Sequence, residues 1–453
     1  SISSKAGFRM RKNEAMSYHV VPPYGLLNDP NGLIYFKGLY HVFFQWNPND
    51  CDHSYKCWGH ATSSDLFHFD YHEAALLPDQ WYDVSGCYSG SAIEFDGKMY
   101  IYYTGNVFDD LGQRQTYQCL AISDDGFTFV KHGPILYLPS GYTAHFRDPK
   151  VFFDRNQKLT MVIGAQRINE TGTIVVAHST DGLTWEVIGE LLDQPLKLGY
   201  MWECPDLILG DPYDILMFSP QGVKREKYQF QNIFHSGYLV GHFNEGKFSA
   251  VSEFKELDYG FEFYAPQSML GKDGRPILSA WMGAMEKEKE RSLPTLTDGW
   301  IHHLSMFREI FVNKKGLVQK PLSSLVSRLK EIGFQEGNSG TCMLPRVGAI
   351  QLDFTSSFSL ESSQDWSLTY SNQDEYLIIH RRNWSDQNME CRYVPISSEC
   401  TKLLVFIDQT SMEVFVNEGE STASLRVFFN DEHHSIVFKS DELMQCTCYS
   451  LTV

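Results

Sequence analysis

The run Asn28-Asp29-Pro30-Asn31-Gly32-Leu33-Ile34-Tyr35-Phe36-Lys37-Gly38-Leu39-Tyr40-His41-Val42-Phe43-Phe44 decides the fold class of this chain. Its aromatic and β-branched residues form two short stretches split by Lys37-Gly38, which reads as strand, turn, strand. The unit returns at Phe95-Asp96-Gly97 with Tyr100-Ile101-Tyr102-Tyr103, and at Val151-Phe152-Phe153 with Leu159-Thr160-Met161-Val162-Ile163. It returns again at Leu207-Ile208-Leu209 with Ile215-Leu216-Met217-Phe218, and at Lys272-Asp273-Gly274 with Ile277-Leu278-Ser279-Ala280-Trp281. The turns at 38, 97, 156, 211 and 273 lie about 55 to 62 residues apart. Between them a second echo recurs: Ser64-Asp65-Leu66-Phe67, Asp124-Asp125-Gly126-Phe127 and Thr180-Asp181-Gly182-Leu183. Helical periodicity is scarce, so the class is all-β. Five repeats of antiparallel strands predict a five-bladed β-propeller. A large sandwich with coincidental spacing is the competing reading.

The pattern stops near residue 312, which places the propeller domain at residues 1–312 and a linker at 313–339. From 340 to 453 short alternating strands resume, among them Leu403-Leu404-Val405-Phe406-Ile407 and Met412-Glu413-Val414-Phe415-Val416, and predict a β-sandwich.

Just before the first strand of each unit stands a short polar motif. The motifs are Asn28-Asp29-Pro30, Arg147-Asp148-Pro149, Glu203-Cys204-Pro205-Asp206 and Tyr264-Ala265-Pro266-Gln267. Asp29, Asp148, Glu203 and Tyr264 precede their turns by nine, eight, eight and nine residues. In a propeller the innermost strands line one channel, so these nearly equivalent positions would converge. Each carboxylate alone would read as a cap on a turn before proline. Three at the same repeat position are a different matter, because gathering like charges is electrostatically costly and shifts their pKa values apart. Paired carboxylates of that kind are the equipment of glycoside hydrolysis.

Composition narrows the partners. The chain of 453 residues has a formal net charge of −18, which argues against nucleic acid. No apolar run approaches the length of a membrane span. Aromatic residues make up 14%, in keeping with sugar-binding clefts, where ring faces pack on C–H groups. The expected partner is a small sugar, and the expected state a monomer or weak homodimer. Two Asn-x-Ser/Thr triplets, at Asn169 and Asn383, lean towards a secreted protein, with a cytoplasmic one as the alternative. Residues 1–16 are polar and basic and show no signal peptide. Cys51, His53, Cys57 and His60 fit no standard zinc spacing, so neither metal nor cofactor is expected. The charged run from Met285 to Arg291 reads as a solvated loop.

At these motifs the chain resembles glycoside hydrolase family 32, the invertase-like β-fructofuranosidases. The resemblance also rests on Phe44-Gln45-Trp46-Asn47-Pro48, Trp58-Gly59-His60, Ser89-Gly90-Ser91 and Phe263-Tyr264-Ala265-Pro266-Gln267, in the family's order. Gly25-Leu26-Leu27 and the segment around Cys51 and Trp58 look most like the bacterial sucrose and sucrose-6-phosphate hydrolases. The resemblance implies a propeller followed by a sandwich, and a retaining mechanism without cofactor. It assigns Asp29 as nucleophile, Glu203 as general acid/base and Asp148 as transition-state stabiliser. It also implies that Asn28, Gln45, Trp58, Tyr88, Ser89, Arg147, Tyr264 and Trp281 bind substrate. Sucrose is the expected substrate, with sucrose-6-phosphate or a fructan as alternatives and a non-catalytic sugar-binding propeller as a remote one. Glu262 and Tyr88 stand where many relatives have Asp and Phe, and both are expected near the cleft. Lys56, Arg147 and the pair Lys224-Arg225 are the candidates for holding a phosphate.

Overall fold

A computed structural model describes residues 16–363, 365–397, 399, 401–429 and 433–453. The basic N-terminal stretch, apart from Met16, lies outside them. Five antiparallel sheets follow one another along the chain as blades, with inner strands Gly25–Phe36, Cys87–Phe95, Tyr142–Phe153, Met201–Ile208 and Tyr264–Leu270. Apolar clusters fill the space between neighbouring blades. Ile34, Phe43 and Trp58 of blade one, for example, pack with Ile101, Tyr103 and Cys119 of blade two. Trp300–Ile301, from an excursion of blade five, pairs in parallel with the start of blade one and closes the ring.

The second sequence echo is the turn between the third and fourth strands of a blade. Ser63, Ser123 and Ser179 each accept a backbone N–H, and Asp65, Asp125 and Asp181 each accept two more. The residue after each Asp has positive φ, which Gly126 and Gly182 adopt freely and Leu66 only under strain.

The propeller ends later than expected. Blade five consists of Tyr264–Leu270, Pro276–Trp281, Arg308–Asn313 and Gly316–Pro321, so the first third of the supposed linker belongs to its outermost hairpin. The rest holds a single turn of helix, Ser323–Val326, and then the start of Leu329–Pro345, already a strand of the C-terminal unit. The polar, Gly-rich composition of 333–340 belongs to a long strand crossing two layers, not to a connector. Leu329–Pro345 pairs with His433–Leu451, and the register shifts at Gly337, where φ is +152°. Strand His433–Leu451 then pairs with Phe358–Ser362 along its first part and with Gly348–Asp353 along its last. This bend folds one hydrogen-bonded sheet into a sandwich around Leu352, Leu360, Trp366 and Val405. Cys342, Cys446 and Cys448 lie in that core with their sulfur atoms within 4.8 Å of one another.

Candidate functional site

The chemistry begins with a backbone irregularity repeated in every blade. Leu27 and Pro30 pair with Trp46 and Phe44, so three steps on the inner strand face two on its neighbour. The same extra residue occurs between Cys87 and Gly90, Arg147 and Lys150, Glu203 and Asp206, and Tyr264 and Gln267. A bulge of this kind bends the strand and re-aims its side chains. The four polar motifs sit on these bulges, and Tyr88-Ser89 sits on the fifth. Asp148, Cys204 and Ala265, each followed by proline, have φ of +68°, +49° and +52°. Non-glycine residues in that region cost about 1–3 kcal/mol each and persist where the surroundings enforce them.

The register corrects the expected equivalence of the carboxylates. Glu203 occupies the first bulge position, as do Arg147 and Tyr264 in their blades. Asp148 occupies the second, with Asn28, Tyr88 and Cys204, and Asp29 the third, with Ser89. Successive positions on a bulge point differently, so three carboxylates reach one cleft from three angles.

The cleft, of about 420 Å³, is lined by Asn28, Asp29, Gln45, Tyr88, Ser89, Arg147, Asp148, Glu203, Tyr264 and Trp281. Ser89 Oγ donates to Asp29 Oδ2 at 2.7 Å, and Asn28 Nδ2 approaches Oδ1 at 3.4 Å. Arg147 donates through Nε and Nη2 to Glu203 Oε2 at 3.1 and 2.9 Å, and the Tyr264 hydroxyl donates to Oε1 at 2.6 Å. The Cys204 N–H donates to Asp148 Oδ2 at 3.0 Å. The Cys204 thiol lies between two carboxylates, 3.5 Å from Asp148 Oδ2 and 3.6 Å from Asp29 Oδ2. Burial, then the Glu203 and Asp29 charges, push the Asp148 carboxyl up to about 7 against the pull of Arg147. Burial and Glu203 also raise Asp29, while Ser89, Lys56 and Asn28 oppose them.

Several expected contacts lie elsewhere. Trp58 does not line the cleft. It is fully buried against Phe43 and Tyr103, and its indole N–H donates to the Tyr88 carbonyl at 2.9 Å, so it props the second bulge from behind. Gln45 does line the cleft, but its amide N–H donates to the Cys87 carbonyl at 2.7 Å and supports the same bulge. Glu262 does not line the cleft: it is buried in a double contact with Arg381 and accepts the Arg426 N–H at 2.9 Å. Arg225 is bound to the Gln231 carbonyl and faces Glu286 at 3.7 Å.

Other residues take roles that the sequence did not assign them. Lys56 donates to Asn28 Oδ1 at 2.7 Å and to His53 Nδ1 at 2.9 Å. Burial lowers its pKa to about 8, against Asp29 and Glu290. Glu290 accepts from His302 at 2.9 Å and reaches His53 at 3.2 Å, and both rings pack on Trp281. The supposed solvated loop at 285–291 is therefore a cap on one side of the cleft, with Met285 and Lys289 buried. In the sequence His53 read as part of a poor zinc motif and Lys56 as a candidate for holding a phosphate, because nothing along the chain places Glu290 and Trp281 beside them. His60, from that motif, instead stacks on Phe43 and bonds His41 at 2.9 Å.

The comparisons agree with this arrangement. Residues 19–321 match the glycosyl hydrolases family 32 N-terminal domain, and residues 346–450 the family 32 C-terminal one. The chain is 40% identical over 433 residues to the sucrose-6-phosphate hydrolase of Bacillus subtilis (strain 168), covering 92% of this chain and 90% of that one. It is 36% identical to the raffinose invertase of Escherichia coli, over 91% and 89% of the two chains. The solved sucrose-6-phosphate hydrolase of Lactobacillus gasseri superposes with a TM-score of 0.88 at 28% identity, covering 100% of this chain and 95% of that one. The Bombyx mori β-fructofuranosidase solved with sucrose gives 0.87 at 28%, over 99% and 96%. By its five bulged blades, its sandwich and both sequence matches, the chain belongs to glycosyl hydrolase family 32.

Proposed function

We propose that this enzyme is a β-fructofuranosidase that cleaves sucrose-type fructosides to fructose and the released glucosyl part by double displacement. The observation that carries the reading is the cluster of Asp29, Asp148 and Glu203 in one cleft, with two of them in contact with the Cys204 thiol. Asp29 attacks the anomeric carbon of the fructosyl unit as Glu203 passes a proton to the departing oxygen. A fructosyl ester on Asp29 remains. Glu203 then takes a proton from water, which attacks that carbon and frees Asp29. Ser89 and Asn28 hold the Asp29 oxygens in line. Tyr264 and Arg147 hold Glu203, and Asp148 faces the charge that develops on the sugar ring. Every residue lining the cleft comes from the propeller, so the sandwich acts as support.

The test is a pair of variants. Asp29→Asn should lose at least about 10⁴-fold in turnover of every fructoside, since no ester can form. Glu203→Gln should lose about 10²–10⁴-fold on sucrose but far less on a fructoside with a very good leaving group, and azide should restore turnover. Near-normal activity in Asp29→Asn would overturn the assignment.

The reading places the enzyme in the cytoplasm. Of the two glycosylation triplets, Asn383 is 4% exposed, with its side chain bonded to Glu390 and Ser385, which leaves it unfit as an acceptor. Sucrose-6-phosphate hydrolases recur among the relatives, and a sugar phosphate does not cross a bilayer unaided. Activity recovered from the medium of intact cells would count against this.

A further inference from the structure

Of the cations expected to hold a phosphate, Lys224 does not line the cleft and the other three are already engaged. Lys56 is tied to Asn28 and His53, Arg147 to Glu203, and Arg225 to Glu286 and Gln231. Two other cations line the cleft, Arg114 and Lys287, and neither makes an ion pair among the described residues. They differ in how they are held. Lys287 is exposed on the blade-five cap. Arg114 is half-buried, with its guanidinium carbon 5.4 Å from the Tyr88 ring centre and 5.0 Å from that of Phe108. Its Nη1 donates to Asn106 Oδ1 at 2.8 Å. A planar fork clamped between two rings and fixed along one edge is pre-organised for an anion on its other edge.

Its place relative to the chemistry is also defined. Arg114 lies near His145, whose Nδ1 accepts from Arg147 Nη1 at 2.8 Å, and Arg147 grips Glu203. Tyr88, under Arg114, immediately precedes Ser89, which bonds Asp29. If Glu203 protonates the departing oxygen, the departing sugar lies over Glu203 and Tyr88, on the Arg114 side of the cleft. We propose that Arg114 forms an anion subsite that reads a phosphate on the departing sugar, so that sucrose-6-phosphate is cleaved in preference to sucrose. The proposal rests on the roles given above to Asp29 and Glu203. It also explains the placement of Tyr88, whose ring forms the floor on which the guanidinium lies.

The test compares kcat/KM on sucrose-6-phosphate and on sucrose for the wild type, Arg114→Gln, Arg114→Lys and Lys287→Gln. The wild type should favour the phosphorylated substrate. Arg114→Gln should reduce that ratio about 10- to 100-fold, mainly through KM, as expected for one lost charge-assisted contact. Arg114→Lys should recover part of it, and Lys287→Gln should shift it by less than about threefold, as expected for an exposed charge. Glucose-6-phosphate should inhibit the wild type better than glucose, and Arg114→Gln should abolish the difference. A wild-type preference for sucrose, an unchanged ratio in Arg114→Gln, or an equal loss in Lys287→Gln would overturn the subsite while sucrose hydrolysis stood. Fructose released from neither substrate would overturn the underlying reading and the subsite with it.

Discussion

Two regions of the molecule bury acidic side chains, and they treat them in opposite ways. At the seam between propeller and sandwich, the buried carboxylates of Glu413, Asp408 and Asp258 each meet a cation. Glu413 accepts from Arg308 at 2.7 Å and from His19 at 2.6 Å, and Asp408 accepts from His19 at 2.7 Å. Asp258 lies 3.5 Å from Arg308 and takes bonds from Thr422 and Ser424. Burial alone would discharge His19, but Glu413 and Asp408 hold its pKa at about 9. Burial likewise works against the Glu413 charge, yet His19 and Arg308 keep it below its ordinary value. In the cleft, by contrast, Asp29, Asp148 and Glu203 share Arg147 and Lys56, which bonds Asn28 rather than a carboxylate, and Asp148 is driven up to about 7. Compensated charge joins two domains. Under-compensated charge is kept where a reaction can use it, at a cost in stability.

The contrast can be tested by removing one charge from each region. Glu413→Gln would leave Arg308 and His19 without their shared partner and should destabilise the protein by about 3–5 kcal/mol, read as a large fall in the midpoint of thermal unfolding. Asp148→Asn should do the reverse. It relieves repulsion in the cleft and should stabilise the fold above pH 7 by on the order of 1 kcal/mol, while turnover drops by about 10²-fold or more. If Asp148→Asn lowered the midpoint as Glu413→Gln does, the two regions would not differ in the way described.

A pH series sharpens the same distinction. The folded pKa of His19, about 9, lies above the ordinary 6.5, so its contribution is fully present below about pH 6.5 and is lost as pH rises through about 9. Asp148 has the same sign at lower pH: its contribution is full below about 3.8 and is lost as pH rises through about 7. Stability should therefore fall in two stages as pH rises, the first complete near 7 and the second near 9. Asp148→Asn should remove the stage near 7, and Glu413→Gln should weaken the one near 9. The smallest effect is expected behind the cleft. Trp58→Phe keeps the ring but loses the bond to the Tyr88 carbonyl, which should cost about 1 kcal/mol and raise KM only a few-fold. A fall in kcat as large as that of Asp148→Asn would return Trp58 to direct contact with substrate.

Much of this was legible along the chain because propellers repeat. Strand, turn and motif recur at similar spacing, so the five blades and the meeting of Asp29, Asp148 and Glu203 follow from local pattern and the closure of a ring. The end of blade five was not legible. Gly316–Pro321 carries no repeat motif, and its place is set by hydrogen bonding to Arg308–Asn313. Nor was the fate of individual polar residues, because identical side chains take opposite roles according to what a distant segment brings beside them. Glu262 sits one residue from Phe263-Tyr264, yet it faces Arg381 across the seam, 119 positions further along. Glu290, in a run that reads as solvated, closes the cleft because His302 and His53 approach it from two other segments. Trp58 belongs to a recognised motif, yet its ring is turned into the space between two blades. Order along the chain carries what repeats; burial and charge pairing depend on neighbours in space, and these exist only once the ring has closed and the sandwich has docked against it.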